Sequence, residues 1–284
     1  MSDVSPQAAR RWHRLAVATL WGLTGLALLV LFYVLASVLV RGLPHISLRF
    51  LFDAPRDMGR AGGIGPLIVG TAWVAVLAIA VAAPLGIAAA AYLVEYQRTR
   101  WVQRLIHFGA DALAGLPSIL FGLFGFVFFV LFLRLGWCVL SGALTLSLMI
   151  LPTILRTAEE AIRSVPQAYR EVSYSLGATR VQTLLRVVLP SALPGILTGI
   201  ILGIARCLAE TAAVLFTVGS ALRAPAMPLD STRTLAVHFY LLVREGRAPQ
   251  QAYATAALLV LLSLAINSLV ALIVHRLVKT EQRR

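Results

Sequence analysis

Six apolar runs, at about 15–40, 66–94, 113–133, 139–155, 192–219 and 252–274, constrain this chain more than anything else in it. Each approaches or exceeds the roughly 17 to 25 residues needed to cross a bilayer. A backbone in hydrocarbon must satisfy its own hydrogen bonds, which leaves helices or a closed barrel. The alternation of a transmembrane barrel is absent, so the runs are read as helices. Composition agrees: 59% of the 284 residues are hydrophobic and 13% are charged, against about 25% charged in a soluble domain. The expected fold is an all-α polytopic membrane protein with six transmembrane helices and no inverted repeat of the kind found in many secondary transporters.

The first run follows Arg10-Arg11-Trp12-His13-Arg14, but it is too long for a signal-peptide core and lacks a cleavage site, so it reads as an uncleaved helix. The net charge of +13 is best explained by topology. With the amino terminus in the cytoplasm, fifteen of the 25 Lys and Arg residues fall inside: Arg10, Arg11, Arg14, Arg98, Arg100, Arg104, Arg156, Arg163, Arg170, Arg180, Arg186, Arg276, Lys279, Arg283 and Arg284. Nine fall outside and Arg206 lies within a span, which satisfies the positive-inside rule. The predicted organisation is a cytoplasmic tail (1–14), a permease domain (15–275) and a second cytoplasmic tail (276–284). No interleaved basic and aromatic stripe suggests a nucleic-acid surface. Cys138 and Cys207 lack the spacing of a disulfide framework or metal site and read as packing residues. His45, His107 and His238 are scattered without metal spacing.

Between the fourth and fifth runs lies a polar segment, EEAIRSVPQAYREVSYSLGATRVQTLLRVVLP, at 159–190. Ser164 with Gln167, and Thr179 with Gln182, fit the capping box and predict two helices. Pro166 is tolerated in a first turn, and Gly177 stands where a helix ends in a left-handed residue. Val181, Leu184, Leu185 and Val188 recur as one apolar stripe. The segment therefore predicts a stiff two-helix elbow at the membrane surface. In the outer connection, 220–250, a helix is expected around 234–243, with Leu235, Phe239 and Leu242 packed on the bundle rim. Gly62-Gly63-Ile64-Gly65-Pro66 predicts a tight turn before the second span. Thr71, Ser118, Thr145 and Ser147 are expected to bond backbone or pack helices, and Pro84 and Pro117 to kink or break theirs.

Glu171-Val172-Ser173, Gly177 and Val187-Val188-Leu189-Pro190 resemble the EAA loop of ABC-importer permeases, with Gly six residues after Glu and an aliphatic ten residues later. The departures are Val172 and Ser173 for two alanines and Val187 for isoleucine. Gly62-Gly63-Ile64-Gly65-Pro66, Val69-Gly70-Thr71, Pro84-Leu85-Gly86-Ile87, Tyr92-Leu93-Val94-Glu95-Tyr96, 113–119, Glu210-Thr211-Ala212 and Leu215-Phe216-Thr217 resemble phosphate-specific permeases of the PstA type. That resemblance spans roughly 50–275. It implies the type I ABC-importer permease fold, with the elbow seated on an ABC ATPase dimer of the PstB type. A second, PstC-type permease and an extracytoplasmic phosphate-binding protein of the PstS type would complete the importer. On this basis Tyr169, Arg170 and Glu171 would contact the ATPase, Leu176 would pack, Gly177 would allow the turn, and Leu189-Pro190 would stop the second elbow helix.

Arg206 and Glu210 are spaced i and i+4 in an otherwise apolar run, which places them on one face of a continuous helix. Ionisable groups at that depth face an interior or wet cavity, and the arginine fork suits an oxyanion. The pair is the candidate phosphate route, as it is in the resembled family. That family usually has Gly at 209 and Pro at 213, where this chain has Ala209 and Ala213. The chain itself is not the motor. A phosphate-binding loop of the Gly-x4-Gly-Lys-Ser/Thr form needs a lysine, and the single one, Lys279, follows Val278. No cofactor is expected, ATP being bound by the partner subunit. A PstC-type role, another oxyanion, and a proton-coupled carrier using Glu210 remain open at the level of sequence.

Overall fold

The computed structural model describes residues 6–97, 99–246 and 248–281. Residues 1–5 of the predicted tail and Arg98, Arg283 and Arg284 lie outside the described residues, as do the side chains of Arg10, Arg11, Arg276 and Lys279.

The first helix, α1 (Pro6–Gly42), carries exposed Leu, Trp21, Phe32 and Tyr33 along its length. It meets the rest of the chain near its end, where Arg41 Nη1 donates to the Tyr253 hydroxyl at 3.0 Å. A short α2 (Leu48–Phe52), capped by Ser47, leads into a two-stranded hairpin, β1 (Pro55–Arg56) and β2 (Ala61–Gly62), paired antiparallel. The glycine run after it turns tightly into α3 (Gly65–Ala91), with Pro66 in the first turn, where its missing donor is harmless. Pro84 sits inside α3 without breaking it, and a wide turn at Tyr92–Tyr96 ends the span.

The third run carries a break at Pro117, as its proline predicts. Ahead of that break lies α4 (Arg100–Gly115), which is amphipathic. α5 (Ser118–Gly125) then continues as a wide-wound segment to Phe132, and the two helices meet at 100°. Pro117 causes the bend. The residue before a proline is driven to extended backbone, and Leu116 has ψ 137. Among the described residues, five helical stretches are long and apolar enough to span a membrane, or six if the bent pair counts as one.

Next come α6 (Val139–Ser164), then α7 (Gln167–Ser175) and α8 (Arg180–Thr183), which form the elbow, and α9 (Leu189–Ala209). A four-residue turn of helix, α10 (Ala212–Leu215), precedes a loop and α11 (Leu235–Glu245), capped by Thr234 as the expected outer helix. Leu235 and Leu242 are buried on the bundle, as read from their spacing. Finally α12 (Pro249–Glu281) runs past the predicted boundary at 275.

The centre is a three-helix stack in which α6 packs along α3 and α9. Lipid is as apolar as leucine, so burial does not drive helices together here; close approach of small residues does. Ala75, Ala78 and Ala82 on α3 and Ala143 on α6 are buried at these contacts, with Ile150 and Ile154 filling between them. Hydroxyls in the spans bond backbone as expected: Thr71 Oγ1 donates to Leu67 O and accepts from Leu235 N, and Thr145 Oγ1 donates to Ser141 O. Both cysteines are free and buried, in keeping with packing roles.

Candidate functional site

The elbow is built by local rules. Of its two expected capping boxes, the second forms: Gln182 N–H donates to Thr179 Oγ1 at 3.3 Å and Thr179 N–H to Gln182 Oε1 at 2.9 Å. The first does not. Ser164 still belongs to α6 and donates to Ala161 O, while Pro166 starts α7 with no side-chain cap. Between the helices Gly177 has φ +82, a left-handed conformation that costs other L-residues roughly 1–2 kcal/mol. Gly177 N–H reaches Tyr174 O and Ala178 N–H reaches Ser173 O, the pairing of a Schellman stop. Ser173, at an alanine position of the resembled motif, hydrogen-bonds Thr183 at 2.9 Å inside the elbow, so the departure ties the two helices together.

Three expectations about the elbow are corrected. Leu189-Pro190 does not stop the second helix; Arg180–Ala209 forms one continuous helical stretch. A proline deprives the preceding turn of a donor and crowds its carbonyls. The wide turn at Leu184–Val188, closed by Leu189 N–H to Leu184 O, absorbs this without a break. The same widening splits the predicted stripe: Val188 is fully buried, while Val181 and Leu185 are exposed. Lastly, Arg170 is not a free head group. It is 7% exposed and bonds Glu95 Oε1 through Nε and Nη2 at 3.0 and 2.8 Å, Val165 O at 2.7 Å and Ile162 O at 2.9 Å.

Arg170 thus pins the elbow to the ends of α3 and α6. Sequence reasoning missed Glu95, although a carboxylate just past an apolar run, facing an arginine in the next polar segment, was the available signal. A second staple ties α4 to α6. Glu159 accepts from His107 Nε2 at 2.9 Å and from Arg163 Nη2 at 2.6 Å, and Arg156 Nη2 donates to Asp111 Oδ1 at 2.5 Å. What the elbow leaves outward is apolar and basic. Tyr169 and Leu176 are 52% and 83% exposed, Val172 and Glu171 are also exposed, and a polar cleft of about 570 Å³ opens between the end of α3 and α7, with Arg163 and Arg180 on its walls. Such a surface suits a protein partner.

The other end of α9 carries the charged residues. Arg206 is in the last turn, and the helix ends at Ala209, so Arg206 and Glu210 do not share a helical face as their spacing implied. Glu210 has ψ 128, and its Oε1 accepts from Ala213 N–H at 3.1 Å, starting α10 after the break. This bond depends on Ala213, since a proline there would have no N–H. No Arg206–Glu210 ion pair forms among the described residues. Arg206 is exposed in the isolated chain. Non-helical backbone within a membrane is tolerated only where it is buried in protein or lines a water-filled cavity.

Comparison with known proteins gives the same architecture. Residues 82–279 match the family described as binding-protein-dependent transport system inner membrane component. The probable phosphate transport system permease protein PstA of Methanocaldococcus jannaschii is 36% identical over 248 residues, covering 86% of this chain and 87% of that one. The probable ABC transporter permease protein YqgH of Bacillus subtilis is 37% identical over 208 residues, covering 71% and 67%. Among solved structures, a bacterial alginate ABC transporter complex superposes with TM-score 0.68 at 15% identity, covering 97% of this chain and 98% of that one. An inward-facing form of the MetNI methionine ABC transporter gives 0.58 at 19% identity, covering 75% and 94%. By the family match and by its relatives alike, the chain belongs to the inner-membrane permease components of binding-protein-dependent transport systems.

Proposed function

We propose that the chain is a PstA-type permease subunit of an ATP-driven importer of inorganic phosphate. The observation that carries this reading is α9 itself: one helical stretch joins the elbow to the break at Arg206. Arg206 lies sixteen residues beyond Pro190, about 24 Å along the helix at 1.5 Å per residue. An arginine fork at that depth offers a tetrahedral oxyanion two parallel charge-assisted hydrogen bonds. Relatives named as phosphate transport permeases support phosphate as the oxyanion. The elbow lies in the cytoplasm, where a separate ABC ATPase dimer seats on Tyr169, Glu171 and Leu176. A homologous permease supplies the other half of the route, and an extracytoplasmic binding protein delivers the ion. Arg170 and Gly177 shape the elbow rather than touch the ATPase. ATPase closure then re-aims the Arg206 end as a rigid body. A proton-coupled carrier is disfavoured by the family match and by relatives named as ABC transporter or phosphate transport permeases.

A cysteine placed at Glu171 in the assembled transporter is expected to cross-link to the ATPase, with a yield that changes on adding ATP. Absence of a cross-link in both states would remove the elbow from the ATPase interface.

A further inference from the structure

At the hairpin end of the bundle, opposite the elbow, three buried side-chain nitrogens on two residues lack hydrogen-bond partners. Arg233 is 8% exposed and its Nε makes no hydrogen bond. His238, one turn into α11, is 1% exposed and neither ring nitrogen is bonded. Buried polar groups are nearly always satisfied, so an unbonded guanidinium nitrogen near an unbonded imidazole calls for a specific partner.

Candidates within the chain are already occupied. Glu245 accepts from Arg60 Nε and Nη2 at 3.1 and 2.9 Å. Asp230 Oδ2 accepts from the N–H groups of Ala226 and Met227, which hold its carboxyl below the usual range. Among the described residues no carboxylate forms an ion pair with Arg233. The position of Arg233 makes matters worse for a bare cation. It immediately precedes Thr234, the N-cap of α11, so it sits at the positive end of that helix dipole. Burial lowers the Arg233 pKa and pushes that of His238 down to about 4; the Arg233 charge adds to the second effect, and the Glu245 charge opposes both. His238 is therefore a neutral ring, able to donate one N–H.

The hairpin closes over this pair. Gly59, at φ +92, lies so close to the ring that a Cβ there would stand 2.5 Å from His238 Cε1. Desolvation and the helix dipole disfavour the empty site, Glu245 offsets them only in part, and a bound anion opposes both. An opening that leaves Arg233 8% exposed admits a small ion more readily than a carboxylate carried on a protein main chain.

We propose that Arg233 and His238 form an oxyanion-binding site at the hairpin end of the bundle, separate from Arg206, where phosphate first meets the permease. This rests on the reading of the chain as a phosphate permease, and it adds a station at the mouth of the route. Arg233 supplies the charge and His238 a neutral donor, while Arg60 and Glu245 latch the hairpin to α11.

The test uses the complete transporter, purified with its ATPase and second permease, without binding protein, and carrying Arg206→Gln so that the deeper residue does not contribute. Thermal unfolding is followed against inorganic phosphate, with chloride at matched ionic strength as the control. Phosphate is expected to protect this complex. Adding Arg233→Met should raise the melting temperature of the phosphate-free protein, because an uncompensated buried charge is removed, and should weaken phosphate protection by about ten- to a hundredfold. His238→Gln, which keeps a donor, should weaken it less. Equal protection by phosphate with and without Arg233→Met would overturn the proposal, as would protection by chloride equal to that by phosphate. Import of labelled phosphate by the otherwise unaltered transporter is measured alongside. Its absence would count against the phosphate reading itself, and its presence with unchanged protection would count against this site alone.

Discussion

Arg206→Gln is expected to reduce labelled phosphate import to background, a loss of about a hundredfold or more, while membrane insertion and subunit assembly stay intact. The residue ends α9 exposed in the isolated chain, with no acidic partner among the described residues. A charge at that depth is expensive against lipid by several kcal/mol, so it must face the interior of the assembled transporter. Glutamine keeps the reach and hydrogen-bonding capacity but loses the charge and the bidentate fork. Each charge-assisted hydrogen bond contributes about 1.5–3 kcal/mol, and two are lost from the anion's passage. Assembly should survive because packing of α9 on α3 and α6 involves Gly199, Gly203 and Cys207 rather than Arg206. Unchanged uptake by the variant would remove Arg206 from the route.

The second large effect falls at the elbow. Arg170→Ala would strand Glu95, whose side chain is 11% exposed, and would free the carbonyls of Ile162 and Val165. Removing one member of a buried ion pair costs roughly 3–5 kcal/mol, because the remaining charge is left unsolvated. The variant should melt at lower temperature and lose the ATPase on purification. Arg170→Lys should recover only part of the loss, since an ammonium cannot span Glu95 and two carbonyls with one planar fork. Glu95→Ala should reproduce the defect, and the double variant should cost less than the sum of the two. An Arg170→Ala complex that keeps both its ATPase and its melting temperature would show that the staple does not hold the elbow.

Much of the architecture was legible because a bilayer imposes simple rules on sequence. Apolar length marks a span, and a capping residue or a left-handed glycine marks a helix end, as at Thr179 and Gly177. Rules that concern one residue's neighbours in space were not legible. Pro84 and Pro117 look alike in sequence; one lies within an intact helix and the other sits at a bend of 100°. Sequence alone does not record which of the two prolines ends its helix. The i and i+4 spacing of Arg206 and Glu210 presupposed an unbroken helix, and no glycine or proline marked the break. Glu210 instead turned to cap the next turn, through an N–H available only because residue 213 is alanine. The charges at Arg170 and Arg233 were counted towards topology. Burial gave them other work: Arg170 became a staple, and Arg233 was left without a partner.

The most direct measurement of the central claim is uptake of labelled phosphate by proteoliposomes containing this chain with its second permease, ATPase and binding protein. The account predicts uptake that requires ATP inside the elbow-side compartment, is indifferent to a proton gradient, and is absent when the chain is reconstituted alone. Phosphate uptake by the chain alone, driven by a proton gradient without ATP, would contradict it.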